Sequence, residues 1–293
     1  PLPLDEHRRT WMYVLLGVAF SANIGGIGTL VGSPPNAIAA AAVGMDFAEW
    51  MSWGLPLVLV MMPLMEIGLR LVLRPRLDVA VTPPPPPGGW TPAQRKMLAL
   101  FGFTVLLWVF GAPLGAALGF AQGYDAAVAL FALVLLHGLR LAGWQDVERS
   151  TEWGVLLLFG GGLTLSKALA ASGAAAWLAT QLGGPLAALP AWGCIALMVL
   201  FALLLTEVTS NTASAALLIP LFLGLAPHVE RAPLAALVAV GTSCAFMLPV
   251  ATPPNAIVFG TGHVPQRVMI LGGTGVTVLV YPALVLAALI AVA

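Results

Sequence analysis

The sequence predicts an all-α integral membrane protein built from two inverted repeats, with discontinuous helices and re-entrant hairpins. Three observations predict it. The chain is almost free of charge, one short proline motif occurs twice, and a dense polar cluster interrupts a long apolar run. Of 293 residues, 60% are hydrophobic and 8% charged, and the mean hydropathy is +0.98. A soluble globular chain carries roughly 25% charged residues. Apolar stretches of about 18 residues or more recur along the sequence, and each is a candidate span. They include Met97–Leu118, Ala126–Leu141 with its flanks, and Met269–Ala293. Among chain conformations of this length only a helix satisfies its own backbone in lipid. The formal net charge is zero, which gives no electrostatic footprint for nucleic acid. Cys194 and Cys244 stand in apolar stretches at a spacing that fits no zinc or redox motif, and read as small buried residues.

The apolar segments fall at about 10–31, 51–73, 97–118, 124–141, 153–182, 192–226, 233–262 and 268–293, the sixth and seventh broken internally. Basic residues cluster in alternate gaps. Arg8, Arg9, Arg70, Arg74, Arg76, Arg95, Lys96, Arg140, Arg149 and Arg267 share one side, which the positive-inside rule makes cytoplasmic. The opposite gaps carry Asp46, Glu49, Asp125 and Arg231. The expected location is therefore the inner (cytoplasmic) membrane of the cell, multi-pass, with the loop 74–96 cytoplasmic. Pro83–Pro87, followed by Gly88 and Gly89, forms a stiff polyproline run that cannot span lipid. It reads as a linker between halves, with an SH3-type ligand as the alternative. The expected organisation is thus 1–73, the C-terminal part of a first repeat with a broken helix at 29–36. The linker 74–96 follows. A second repeat over 97–293 has a hairpin tip near 206–214 and a broken helix near 248–256.

The repeat itself is visible in residue identities. Gly32-Ser-Pro-Pro-Asn-Ala-Ile38 and Ala251-Thr-Pro-Pro-Asn-Ala-Ile257 share five consecutive residues at an offset of 219 positions (255 minus 36). Adjacent prolines remove two backbone donors and push the preceding residue out of the helical region, so each helix must break in mid-membrane. Exposed carbonyls at such a break suit hard cations, and the helix N-terminus suits carboxylate; paired breaks of this kind are the inverted-repeat signature of secondary transporters. Ser33, Asn36, Thr252 and Asn255 add side-chain donors and acceptors beside the breaks. A proline-kinked helix without a ligand is the alternative. The third feature is Thr206-Glu-Val-Thr-Ser-Asn-Thr-Ala-Ser214, in which seven of nine residues are polar. It reads as the tip of a re-entrant hairpin, since non-helical backbone at membrane depth survives only in a cavity or packed in protein. Thr206 and Ser210, four apart, are expected on one helix face.

At these residues the sequence resembles the divalent-anion/sodium symporter family, which includes the sodium–dicarboxylate cotransporters. The resemblance rests on Ser210-Asn211-Thr212, Gly32–Asn36, Ala251–Asn255 and the run Trp153–Leu165 with its triple glycine, and extends over the whole chain. It implies a hairpin tip facing a Pro-Pro-Asn loop in each repeat, with one Na+ between tip and loop. It implies that Thr206, Ser210, Asn211 and the Ala251 carbonyl build the second sodium site, and that the Gly32 carbonyl contributes to the first. Ser33, Asn211, Thr212, Thr252 and Pro253 would lie near the substrate, on loops supported by Pro34, Pro35, Asn36, Pro254 and Asn255. It further implies a small dicarboxylate anion as substrate, sodium as the co-transported ion with no organic cofactor, a homodimer in the lipid bilayer, and elevator-like movement against a scaffold.

One departure stands out. Asn211 precedes Asn255 by 44 residues, and the same spacing before Asn36 falls ahead of position 1. The chain opens on Pro1 and reads as cut at its N-terminus, so a first tip is expected outside it, and residues 1–293 alone are expected not to transport. Two ionisable residues stand within apolar segments. Glu207 reads either as an ion- or proton-coupling carboxylate or as a structural one bonded to the hairpin backbone. Lys167 reads either as an anion guide or as a snorkelling side chain. Glu66 and Arg70 are expected to pair at i,i+4. The histidines fall at segment ends, and no Ser/His/Asp or paired-His constellation points to an enzyme. The leading expectation is sodium-coupled transport of C4-dicarboxylates such as succinate or malate. A dicarboxylate exchanger, a transporter of sulfate or another anion, an arsenite-type permease subunit or channel, and an intramembrane enzyme are the alternatives.

Overall fold

A computed structural model describes residues 7–76, 88–120, 123–151 and 188–292, with isolated positions between 153 and 177. Pro83–Pro87 and Lys167 lie outside the described residues, and the run Trp153–Leu165 is described only in part. The described elements are all helical. They are α1 (Arg8–Ile27), α2 (Pro34–Val43), α3 (Phe47–Leu73), α4 (Pro92–Val109), α5 (Gly111–Ala117), α6 (Tyr124–Gly138), α7 (Trp144–Ser150), α8 (Ala191–Thr206), α9 (Asn211–Leu225), α10 (Arg231–Ser243), α11 (Pro253–Gly260) and α12 (Gln266–Ala291). Of these, α1, α3 and α12 are each long and apolar enough to cross a membrane.

The chain divides into two compact units. One comprises Pro1–Met45, Trp50–Val81 and Val155–Ala293, the other Asp46–Glu49 and Thr82–Gly154. In the second, Thr91 caps α4 through a reciprocal box with Gln94, satisfying two otherwise orphaned donors. The Asp125 carboxylate accepts the Phe47 N–H at 2.9 Å, and the Phe47 ring stacks on Trp108 at 5.0 Å. The apolar run Met97–Leu118 reads as one span, but it bends by 77° between α4 and α5. The cause is local: Pro113 has no N–H to give and its ring opposes the carbonyl four residues back, at Val109.

The first unit is built around α10. Every residue from Pro233 to Ser243 is buried. A helix that is apolar all round belongs in the interior, and its alanines and Gly241 let neighbours approach closely. A methyl on Gly241 would meet Val199 of α8 at 3.1 Å. Helix α10 packs against α8, α9, α2 and α12.

Two helix breaks interrupt this unit, at 28–33 between α1 and α2 and at 244–252 between α10 and α11. Both have the same cause. Pro34-Pro35 and Pro253-Pro254 occupy the first two positions of α2 and α11, where a missing N–H costs nothing. The residues before them, Ser33 (φ −151°, ψ 139°) and Thr252 (φ −141°, ψ 152°), are held extended. The packing across the breaks is reciprocal. Helix α1 lies against α11, and α10 lies against α2.

Candidate functional site: two helix breaks and a polar turn

The two breaks are held by the same pair of bonds. The Asn36 side-chain amide donates to the carbonyls of Gly26 at 2.9 Å and Thr29 at 2.8 Å, ten and seven residues earlier. The Asn255 amide donates to the carbonyls of Ala245 and Leu248, both at 3.1 Å and also ten and seven residues earlier. Both asparagines are fully buried. An unwound turn at membrane depth leaves carbonyls without helical partners, and a primary amide with two donors satisfies two of them at once.

The correspondence continues into the following helices. A methyl on Gly54 of α3 would lie 2.4 Å from the Ile27 carbonyl oxygen, and one on Gly273 of α12 would lie 2.4 Å from that of Phe246. These positions also stand 219 apart (273 minus 54; 246 minus 27), as do Pro63 and Pro282 inside the two helices. Each break therefore rests against a glycine of the next long helix, at a distance only glycine permits.

The polar cluster forms the turn between α8 and α9. Both helices pack along α10, giving a helical hairpin whose arms have 16 and 15 residues. At 1.5 Å per residue each arm is about 24 Å or less, short of the roughly 30 Å hydrocarbon core. Helix α8 ends at Thr206 and α9 starts at Asn211. Ser210 is therefore the extended residue before α9 and does not share a helix face with Thr206, as their spacing alone suggests; the turn at 207–210 intervenes.

This turn is fastened to the second break. The Glu207 carboxylate, 4% exposed, accepts the N–H groups of Phe246 at 2.8 Å and of Met247 and Leu248 at 3.0 Å. The Thr206 hydroxyl donates toward the Asn211 side-chain oxygen at 2.7 Å and the Thr242 carbonyl at 2.8 Å. One segment thus has its amides held by Glu207 and its carbonyls by Asn255. Of the two readings of Glu207, the geometry is that of a carboxylate bonded to backbone. It fastens to the break, however, and not to its own hairpin.

A further residue closes the network. Asn23 of α1 donates to the Ala245 carbonyl at 3.3 Å, the Thr252 hydroxyl at 3.2 Å and the Asn255 side-chain oxygen at 3.3 Å. Sequence reasoning missed it. The available signal was a single asparagine in an apolar helix five residues before the break.

The structure places the anticipated residues as follows. Thr206, Asn211, Thr252 and Asn255 belong to this bonded network. Ala251 and Thr212 are buried beside it, while Ser210 and Pro253 are exposed and Pro254 is half-buried. At the first break, the Ser33 hydroxyl lies 3.4 Å from that of Ser243 on α10. Gly32 is exposed, and a methyl there would meet the Gly26 carbonyl at 2.3 Å. Pro34 is exposed and Pro35 buried. The Asn36 side-chain oxygen, unlike that of Asn255, has no partner among the described residues. No lysine or arginine occurs in 23–36, 206–214 or 242–255. The site offers hydroxyls, amides, carbonyls and the N-termini of α2, α9 and α11, a donor set that fits a hard monovalent cation and a carboxylate held by dipoles.

Comparison with known proteins bears on this arrangement. Residues 87–292 match the family described as the sodium:sulfate symporter transmembrane region. An uncharacterised transporter of Haemophilus influenzae is 40% identical over 281 residues, covering 93% of this chain and 61% of its own length. An uncharacterised transporter of Methanocaldococcus jannaschii is 33% identical over 263 residues, covering 89% and 60%. A sodium-dependent dicarboxylate transporter of Staphylococcus saprophyticus is 34% identical over 302 residues, covering 91% and 56%. The chain spans about three fifths of the length of these relatives. It is an integral membrane protein, and it belongs to the sodium:sulfate symporter family, the divalent-anion/sodium symporters.

Proposed function

We propose that this protein belongs to a secondary active transporter that moves C4-dicarboxylates of the succinate and malate class, coupled to sodium. The observation that carries this reading is the bonded junction of the polar turn 206–211 with the break 244–252, which gathers oxygen ligands and helix N-termini without a basic side chain. In this reading one Na+ lies among Thr206, Ser210, Asn211 and the Ala251 carbonyl, the second sodium site, and the Gly32 carbonyl contributes to the first. The anion lies near Ser33, Asn211, Thr212, Thr252 and Pro253. The sodium-dependent dicarboxylate transporter of S. saprophyticus supports the ion and the substrate class.

The two break-containing segments are proposed to be repeats inverted across the membrane. The shared offset of 219, the matched asparagine and glycine contacts, and the reciprocal packing of α1 on α11 and α10 on α2 support this. A two-fold relation makes each half contact the other through equivalent elements. The proposal extends to an elevator-like movement, a homodimer, a site in the inner membrane and a cytoplasmic loop at 74–96.

The description of the matched family favours sulfate as a second reading, and a dicarboxylate exchanger is a third on the same fold. The test is uptake of succinate and of sulfate into proteoliposomes by the full-length gene product under an inward sodium gradient, then under potassium, with Asn211→Ala as control. Sodium-dependent, saturable succinate uptake that the mutant loses supports the reading. Uptake that requires internal dicarboxylate and ignores sodium turns it to exchange, and uptake of sulfate alone turns it to the second reading.

A further inference from the structure

The start of α1, the end of α3 and the start of α12 meet around an open cavity of about 690 Å³. Four arginines line it, Arg8 and Arg9 from α1 and Arg74 and Arg76 from the segment after α3, together with His7. Among the described residues none of the four has a carboxylate within ion-pair range; the pair found there joins Arg70 to Glu66, which also accepts the Tyr13 hydroxyl. The cationic groups are brought together by a specific contact. The buried Thr10 hydroxyl donates to the Arg76 carbonyl at 2.9 Å and accepts the Arg76 N–H at 3.2 Å. Arg74 itself stands in the left-handed region at φ 46°, uncommon for a residue with a side chain. The Nδ1 atom of His7 is buried at the cavity without a partner among the described residues.

A second cavity of about 320 Å³ shares Arg9, Met12, Arg74 and Val268 with the first and continues along Val72, Leu73 and Leu271. The two form one concavity with a cationic mouth and an apolar floor. Its walls are ends of α1, α3 and α12, each long and apolar enough to cross a membrane; spanning by these helices would put the mouth at a membrane face and run the floor into the hydrocarbon.

We propose that this concavity binds one anionic phospholipid, its phosphate held by the arginines and an acyl chain laid along Val72, Val268 and Leu271. Guanidinium groups match phosphate oxygens in a bidentate fork, and basic pockets between membrane helices on the cytoplasmic side suit anionic headgroups. A small soluble anion would use the cationic mouth and leave the floor empty. The floor therefore favours the lipid.

The test is native mass spectrometry of the detergent-purified protein titrated with phosphatidylglycerol or phosphatidylcholine of the same acyl chains. The expected result is one retained phosphatidylglycerol, preferred by about tenfold or more. Each arginine removed is expected to lower its affinity about fivefold, so Arg74→Gln with Arg76→Gln should cost about 25-fold. Leu271→Trp leaves every charge in place and fills the floor at an exposed position, so it should weaken phosphatidylglycerol as well. Equal retention of the two lipids, or affinity unchanged in both variants, overturns the proposal. Displacement of the lipid by inorganic phosphate at equal concentration also overturns it and assigns the site to a soluble anion.

Discussion

The carboxylate of Glu207 accepts the backbone N–H of Met247 on both of its oxygens, each at 3.0 Å. With Phe246 and Leu248 also donating, three consecutive amides converge on one side chain. Such a group fixes backbone. Glu207→Gln turns one acceptor into a donor that faces N–H groups, and an unsatisfied buried group costs about 1–3 kcal/mol. A clear fall in the midpoint of thermal unfolding in detergent is expected, read from tryptophan fluorescence. Loss of sodium-dependent uptake at an unchanged midpoint would instead make Glu207 an ion-coupling group.

Asn36 and Asn255 hold their carbonyl pairs through donors that aspartate lacks. Asn36→Asp and Asn255→Asp should each destabilise by about 2 kcal/mol or more, since an ionised oxygen then opposes two carbonyl oxygens. Asn36 should be the more sensitive, because the oxygen retained at position 255 still accepts from Asn23, whereas that retained at position 36 has no donor among the described residues. Unfolding midpoints of the two variants, compared at one pH and detergent, check both the size and the order.

Gly54→Ala and Gly273→Ala place a methyl 2.4 Å from a carbonyl oxygen of the adjoining break. Neither neighbour is a flexible side chain, so the helix must move; overpacking of this kind costs about 1–3 kcal/mol. Gly17→Ala has open space around it and gains helix propensity, about 0.4–1 kcal/mol of stabilisation. The three proteins should therefore separate into two losses and one gain in the same assay. A neutral Gly273→Ala would contradict the close approach of α12 to the break.

The inverted arrangement makes a topological prediction. Asp46 follows α2 and His263 follows α11, at corresponding ends of the two segments. Cys194 and Cys244 are buried and should give little background to a membrane-impermeant maleimide. In intact cells Asp46→Cys should be labelled from outside, and His263→Cys only after the membrane is opened. Labelling of both from one side would exclude inversion.

Asn23 reaches three acceptors at the second break from the first long helix. Asn23→Ala should leave the protein inserted and raise the sodium concentration needed for half-maximal uptake about tenfold, equivalent to about 1.4 kcal/mol. Proteoliposome uptake by the full-length gene product against sodium concentration reads this directly. A sodium dependence identical to wild type would reduce Asn23 to a packing residue.

How much of this was legible depended on the range of the interaction. Pro34-Pro35 and Pro253-Pro254 act on their own backbone, so both breaks could be read from the sequence, as could the polar turn at 206–214. The Gly54 and Gly273 contacts were also present in the sequence, as glycines at the same offset of 219, but their purpose appears only when a carbonyl is seen against them. Thr206 and Ser210 were misplaced on one helix face because four-residue spacing assumes a continuous helix, which the turn at Glu207 denies. Asn23 and its partners are 222 to 232 positions apart, and no local pattern signals such a contact. The bend at Phe110 was masked by hydropathy, which stays high through Pro113 and reports burial in lipid, not helix direction.

The exchange of partners between the two segments has a consequence for biogenesis. Helix α1 emerges from the ribosome well before the α11 it packs against, with 225 residues between Ile27 and Pro253 still to be made (253 minus 27, less one). Throughout that interval the amide of Asn23 lacks its acceptors. The nascent chain must therefore wait, half-assembled, with a polar group facing lipid, other helices or the insertion machinery. Contacts of such sequence separation form slowly, and a chain that waits exposed is open to mispairing and degradation. The interlock that joins the two breaks in the finished protein makes the segment 244–260 decisive for the fate of α1, synthesised long before it.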